Sequence, residues 1–138
     1  MPAGAPDDRV AIRELLLRYA RGVDGRDLAL VASCFAPGAA YRGTLAAGTA
    51  ADALAALPAA MARYRATRHA IGAQHAEVDG DQARSVTDCT AHHWLSAGGC
   101  RVVCVRYRDR LDRGPAGWRI TAREVETLWT REEENDDA

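Results

Sequence analysis

The spacing of apolar residues changes halfway along this chain, and that change is the strongest constraint on its fold. In the first half, apolar residues recur every three or four positions, as on the buried side of a helix. In the second half they alternate with polar residues between glycine-containing turns, as in strands. Helices followed by strands predict an α+β domain in which the helices cover one face of a curved antiparallel sheet.

Three helices are predicted from capping residues and apolar periodicity. Asp7 or Asp8 can cap the first, Asp27 can cap a short second helix, and Thr49 with Asp52 resembles a capping box for the third. The predicted buried stripe of the first helix consists of Ile12, Leu15, Leu16, Tyr19 and Val23. The predicted strands are 39–42, 68–78, 82–95, 101–111 and 118–129. Asp79-Gly80, between the second and third of these strands, is a strong hairpin signal.

Length and charge exclude several classes of protein. The 138 residues predict a single domain, 1–138, with an ordered core at about 7–130 and an acidic tail at 131–138. The net charge of −1 gives no basic field for nucleic acid. No segment reaches the ~18–20 apolar residues of a membrane span, and no signal peptide is evident. The four cysteines lack a CxxC pair, and we expect them to be reduced in a cytoplasmic protein.

The hairpin at Asp79-Gly80 predicts which side chains share a face of the sheet. A two-residue turn and a four-residue loop give the same parity, and a single bulge would invert it. The predicted His69 face contains Ile71, Ala73, His75, Val86, Asp88, Thr90, His92, Trp94, Val103, Val105 and Tyr107. The opposite face should carry His93 and the row Arg106, Arg108 and Arg110. Apolar side chains mixed with His, Asp and Thr are typical of a small-molecule pocket.

Parity does not decide which residues of the last strand face inward. Separately, apolar residues on the outer face suggest an interface. Either Ile120, Ala122 and Glu124 or Thr121, Arg123 and Val125 face inward. Val102, Cys104 and Trp118 among the outer arginines predict a homodimer or a higher homo-oligomer. A metal site is not expected, because His69 and His75 would lie about 20 Å apart at ~3.3 Å per residue.

Eight short stretches carry a resemblance to a known family. They are 11–20, 23–24, 34–37, Thr67-Arg68-His69, 78–83, 91–93, 106–110 and 117–120. They are similar to the SnoaL-like family of the nuclear transport factor 2-like superfamily, over about residues 7–130. The resemblance implies a cone-shaped α+β barrel that holds a ligand between helices and sheet, and it points to a dimer.

The closest match in motif is to the branch of scytalone dehydratase and bile-acid 7α-dehydratase. Its site consists of a Tyr on the first helix, an Asp five residues later and a His on the second strand, and Tyr19, Asp24 and His69 match them. The resemblance further implies His92 as a catalytic residue and Arg123 as a substrate-binding one. Parity adds three substrate-binding candidates, Asp88, Trp94 and Tyr107.

These residues predict acid–base chemistry without a cofactor or metal. His69 would remove a proton next to a carbonyl, Asp24 would orient its ring, and Tyr19 would stabilise the enolate. We therefore expect a lyase or isomerase of dehydratase type, acting on a small hydrophobic hydroxy-carbonyl compound in secondary or steroid-like metabolism. Two alternatives stay open: a polyketide cyclase that closes a ring by intramolecular aldol addition, and a non-catalytic small-molecule-binding module.

Overall fold

Short polar side chains cap two of the three helices. The computed structural model describes residues 6–134, and within them α1 spans Pro6–Asp24, α2 Leu28–Ala32 and α3 Ala50–Met61. The Asp27 carboxylate accepts a hydrogen bond from the backbone N–H of Leu30 at 3.0 Å, which caps α2. Thr49 and Asp52 form the capping box of α3. The predicted caps of α2 and α3 are therefore confirmed. The prediction that Asp7 or Asp8 caps the first helix is wrong, because α1 begins at Pro6 and both residues lie in its first turn.

The strands form one curved sheet that does not close into a barrel. They are β1 Phe35–Arg42, β2 Ala47–Thr49, β3 Tyr64–Asp79, β4 Gln82–Leu95, β5 Cys100–Gly114 and β6 Gly117–Glu133. Their order is β2-β1-β6-β5-β4-β3, and neighbours are antiparallel except β1 and β6, which run parallel. The α+β fold is therefore confirmed, while the short edge strand β2 was not predicted.

The core lies between the helices and the concave face of the sheet. Its residues from α1 are the predicted stripe, Ile12, Leu15, Leu16, Tyr19 and Val23. The prediction that Trp118 faces outward is wrong. Its side chain belongs to this core, where its indole N–H donates to the Asp8 carboxylate at 3.3 Å. On the outer face Val102 and Cys104 are already buried in the monomer, so oligomerisation stays a prediction.

A bulge in β3 changes which residues face the helices. On the side of the bulge that leads to the Asp79-Gly80 turn, Gln74 pairs with Thr87. On the other side, Ile71 pairs with Cys89. Two residues of β3, Gly72 and Ala73, therefore oppose the single residue Asp88 of β4. A Cβ on Gly72 would lie 3.3 Å from the carbonyl oxygen of Asp88, so a glycine suits this close approach.

The predicted facing of β4 is consequently wrong along its whole length. His69 pairs with Ala91 rather than with Thr90 or His92, and His93 lies on the concave face. His92, Asp88 and Trp94 lie on the outer face, where Asp88 is paired with Arg106 at 2.8 Å. The rings of His92 and Trp94 stack there at 5.7 Å. His75 also lies outside, with its side chain 76% exposed. The facings of Val103, Val105, Tyr107 and the arginine row are confirmed.

A second bulge resolves the ambiguity of the last strand. Arg110 pairs with Ala122 and Leu111 with Ile120, so Thr121 is the extra residue of β6. Ile120 and Arg123 both turn inward as a result and are 0% and 2% exposed. Neither of the two predicted inward sets is correct as a whole.

Three further sequence expectations concern the ends of the chain, its cysteines and its helices. Strand β6 continues to Glu133, so the first residues of the expected tail are part of the sheet. Residues 1–5 and 135–138 lie outside the described part of the chain. All four cysteines are free and buried. None of the helices in residues 6–134 is long and apolar enough to cross a membrane.

Candidate active site

A cavity of about 250 Å³ opens between α1, the end of α3 and the concave face of the sheet. Its polar lining includes Tyr19, Tyr107, His69 and His93. The aliphatic side chains around them are Val23, Leu45, Leu57, Met61, Val103, Val105 and Val125. A mostly apolar cavity with a few polar groups suits a small organic molecule. A larger groove of about 650 Å³ lies elsewhere, and its ionisable lining consists of Arg, Asp, Glu and Tyr side chains without any histidine.

Asp24 and His69 form a close pair at the wall of this cavity. Asp24 is the last residue of α1, and His69 lies on β3. The ring nitrogen Nδ1 of His69 is 2.7 Å from Asp24 Oδ1, and the backbone N–H of His69 donates to Asp24 Oδ2 at 2.8 Å. Both carboxylate oxygens therefore hold the same residue, which fixes the orientation of the imidazole ring.

Thr67 and Arg26 support Asp24 from behind. The Thr67 hydroxyl donates to Asp24 Oδ1 at 3.0 Å and accepts from the Arg26 guanidinium at 2.9 Å. Arg26 has a φ of 56°, an uncommon conformation for a residue other than glycine. Burial raises the pKa of Asp24, but the hydrogen bonds from His69 and Thr67 outweigh it, so that this pKa is lowered. Asp24 is accordingly ionised at neutral pH.

The bond to Asp24 leaves the other nitrogen of His69 free to act. A carboxylate accepts from Nδ1–H, which places the lone pair of the neutral ring on Nε2. Within residues 6–134, Nε2 of His69 has no hydrogen-bond partner. The His69 side chain is only 9% exposed and lines the cavity. Nε2 is therefore the ring nitrogen that remains available to a molecule in the cavity.

His93 is a second imidazole in the cavity, and the sequence analysis missed it. Its ring centroid is 5.8 Å from that of His69 and 4.8 Å from that of Tyr64. Its Nδ1–H donates to the carbonyl of Arg101 at 3.2 Å. Burial lowers the pKa of His93, only partly opposed by this bond. Gly72 inside a strand was the one sequence signal for the bulge that brings His93 inward.

Tyr19 and Tyr107 close the inner end of the cavity with hydroxyl donors. Their rings meet edge to face, with centroids 5.7 Å apart. Burial raises the pKa of both phenols. Each therefore keeps its proton at neutral pH and can donate a hydrogen bond to a carbonyl oxygen.

Arg123 lies beneath the tyrosines and does not line this cavity. Its guanidinium makes two hydrogen bonds to Asp109, at 2.8 and 3.0 Å, and both side chains are 0% exposed. Its charge also lies 4.0 Å from the centre of the Tyr107 ring and 4.4 Å from that of Tyr19. The structure thus places Tyr19, Asp24, His69 and Tyr107 around one cavity or its wall. It places Arg123 in the core and the other predicted residues on the outer face.

The described residues do not include a cluster of metal-ligating side chains. No group of three or more His, Cys, Asp or Glu side chains within residues 6–134 could hold a metal ion. The titratable side chains at the cavity include the imidazoles, the Asp24 carboxylate, the phenols and the guanidinium groups of Arg63 and Arg101.

Comparisons with known proteins agree with this fold. The sequence model of the SnoaL-like domain matches residues 5–124. A solved protein from Kribbella flavida is 25% identical, covers 91% of this chain and 93% of that chain, and has a TM-score of 0.82. A protein described as a scytalone dehydratase from Novosphingobium aromaticivorans is 16% identical, with coverage of 96% and 95% and a TM-score of 0.82.

A third solved structure and a sequence search complete the comparison. The hexachlorocyclohexane dehydrochlorinase type 3 from Novosphingobium barchaimii is 19% identical, covers 91% of this chain and 90% of that chain, and has a TM-score of 0.79. At these identities the dehydratase and the dehydrochlorinase show a likeness of fold alone. A search of curated proteins gives no significant match.

Proposed function

The chain belongs to the SnoaL-like domain family, and from that premise we propose that it is a cofactor-independent lyase that removes water from a small, apolar β-hydroxy carbonyl compound. The observation that carries the proposal is the 2.7 Å contact between Asp24 Oδ1 and His69 Nδ1. It leaves Nε2 of a nearly buried imidazole as the proton acceptor at a small cavity.

The first step of the proposed reaction is the removal of a proton from carbon. Nε2 of His69 takes the proton next to the carbonyl, and the electrons of the C–H bond move to the carbonyl oxygen as an enolate. The ionised Asp24 stabilises the imidazolium that forms. The hydroxyl of Tyr19, with Tyr107 beside it, donates to the enolate oxygen, where the charge develops.

The second step is the loss of the hydroxyl group. The enolate electrons return to form the carbon–carbon double bond, and the bond from the β-carbon to oxygen breaks. The His69 imidazolium gives its proton to the departing oxygen, which leaves as water, and the enzyme is restored. His93, whose Nδ1–H is bonded to the Arg101 carbonyl, offers Nε2 as an acceptor that orients the substrate hydroxyl before it leaves.

The names of two fold neighbours are consistent with this chemistry. One is described as a dehydratase and the other as a dehydrochlorinase, and both names denote eliminations. Their low identity to this chain gives them no weight in choosing a substrate. A cyclase would use the same base without releasing water, and a binding module would use none of these groups chemically.

The experiment is a screen of small β-hydroxy ketones and β-hydroxy acids, read by the mass of the product. Loss of one water from the substrate supports a dehydratase, and an isomer of unchanged mass indicates ring closure. Exchange of the α-hydrogen in deuterium oxide reports the first step separately.

A pair of histidine variants tests the mechanism on the substrate that the screen identifies. His69→Ala should lower kcat by about 10²–10⁴-fold, the usual contribution of a general base. His92→Ala removes the same side chain from the outer face and should leave kcat within about twofold of the wild type. Equal activity of folded His69→Ala protein would remove His69 from the reaction.

A further inference from the structure

The mouth of the cavity is positively charged. Among the described residues that line it, the only formally charged side chains are Arg63 and Arg101, and none is a carboxylate. Abundant arginine is a property of the whole chain, whose eighteen Lys and Arg residues are all Arg. The absence of carboxylates from this lining is therefore more informative than the presence of two arginines.

Arg101 is fixed in position by the strand that carries it. It pairs in register with His93, so that the side chains of both lie on the concave face. Its carbonyl accepts the hydrogen bond from His93 Nδ1–H at 3.2 Å. Arg101 and His93 are cross-strand neighbours, so an anion bound to the Arg101 guanidinium would lie close to His93. The His93 ring is in turn 5.8 Å from the ring of His69.

The Arg101 guanidinium is incompletely partnered. Its Nε is buried and makes no hydrogen bond within residues 6–134. The nearest carboxylate oxygen, on Glu132, is 3.6 Å away, and the Glu132 side chain is 70% exposed. Such a distance is too long for a hydrogen bond, and an exposed ion pair contributes little. A buried N–H donor without an acceptor is costly, and a bound acceptor would remove that cost.

Arg63 supplies the second positive charge. It lies between α3 and β3, and its guanidinium is 4.9 Å from the centre of the Tyr64 ring. This stacking orients an otherwise exposed side chain at the mouth. The lining of the cavity thus combines apolar side chains with two imidazoles and two guanidinium groups.

We propose that the substrate carries a carboxylate, which binds Arg101 and Arg63 at the mouth while its apolar part occupies the cavity. This inference rests on the proposed function, because it assigns one end of the molecule whose other end reaches His69. A carboxylate suits a guanidinium better than a neutral oxygen does, since it accepts two charge-assisted hydrogen bonds in the plane of the group.

The test compares two unreactive probes of the same shape, 3-phenylpropionate and 3-phenylpropanamide, by isothermal titration calorimetry. We expect the wild type to bind the carboxylate at least about tenfold more tightly than the amide. Only the affinity for the carboxylate should fall as the salt concentration rises. Because neither probe reacts, the result is independent of whether the elimination occurs.

Three variants locate the effect within the molecule. Arg101→Gln should abolish the preference for the carboxylate, and Arg63→Gln should reduce it severalfold. Arg84→Gln removes an equal charge from an exposed position on β4, in the groove outside the cavity, and should leave the preference intact. Unfolding curves check that each variant is folded.

Two results would overturn the proposal. One is equal or weaker binding of the carboxylate by the wild type, including no saturable binding at millimolar concentration. The other is a preference that survives in the double variant of Arg63 and Arg101. A positive probe result without any turnover in the substrate screen would reject the dehydratase function while keeping the anion subsite.

Discussion

Asp109 and Asp24 are each paired with a basic side chain, but only the pair of Asp24 lies at the cavity. Asp109 and Arg123 are both 0% exposed and make two hydrogen bonds to each other. Asp24 and His69 are 24% and 9% exposed and lie at the wall of a cavity. An arginine beside a carboxylate stays protonated, whereas an imidazole can lose and regain a proton near neutral pH.

The difference between these pairs shows that burial of charge does not by itself identify an active site. Arg123 has its charge enclosed by the rings of Tyr19, Tyr107 and Phe35, and the pKa of its guanidinium, which burial lowers, is raised overall by Asp109. Its guanidinium packs against the Tyr19 ring and helps to hold that ring in place. His69 instead lies beside open space, and one of its ring nitrogens has no hydrogen-bond partner among the described residues. Identical substitutions in the two carboxylates can separate these roles.

The largest effect is expected from Asp109→Asn, and it should appear in stability. Removing one partner of a buried ion pair leaves the other charge without compensation, which typically costs about 3–5 kcal/mol. We expect the free energy of unfolding, measured with urea, to fall by that amount. A loss below about 1 kcal/mol would show that the Arg123 charge is stabilised in some other way.

Asp24→Asn should affect turnover more than stability. Thr67 and the His69 backbone N–H donate to different carboxylate oxygens, so the single amide oxygen can accept from only one of them. The amide also no longer stabilises the imidazolium or selects the reactive tautomer. By analogy with the Asp of Ser-His-Asp triads, kcat for the substrate found in the screen should fall by about 10²–10⁴-fold. The opposite pattern, full activity with a large loss of stability, would make the two pairs equivalent and reject the catalytic role.

The smallest effect is expected in how the free energy of unfolding changes at acidic pH. Because the pKa of Asp24 is lowered in the folded protein, its contribution to stability is fully present above its unfolded pKa, about 4, and is lost as the pH falls through the folded value. The difference in unfolding free energy between wild type and Asp24→Asn should therefore shrink as the pH falls below about 4. Urea titrations of both proteins at each pH measure it. A difference that keeps growing below about pH 4 would contradict the lowered pKa.

Local signals in the sequence were sufficient for the three helices and for five of the six strands. The caps at Asp27 and Thr49 and the hairpin at Asp79-Gly80 each depend on residues within a few positions of one another. The approach of Asp24 to His69 spans 45 positions, and it came from the family resemblance rather than from spacing. Its catalytic role stays a prediction until activity is measured.

The facing of β4 could not be predicted because parity is a global property of paired strands. One extra residue at Gly72-Ala73 reverses every assignment beyond it, and the loop after Leu95 supplies a second change of parity. Because His92 and His93 are adjacent, either facing of β4 would place a histidine on the concave face. The anion subsite depends on the same register, since Arg101 reaches the mouth only as the partner of His93.

The β3 bulge has an evolutionary consequence as well. A deletion of one residue at Gly72 or Ala73 would let β3 pair evenly with β4 and turn the segment with His69 toward solvent, while every residue of the family motif stayed in the sequence. Relatives of this chain could thus lose the reaction through a change in strand length alone. A comparison of motif letters would not detect such a loss, whereas counting the residues between His69 and the turn would.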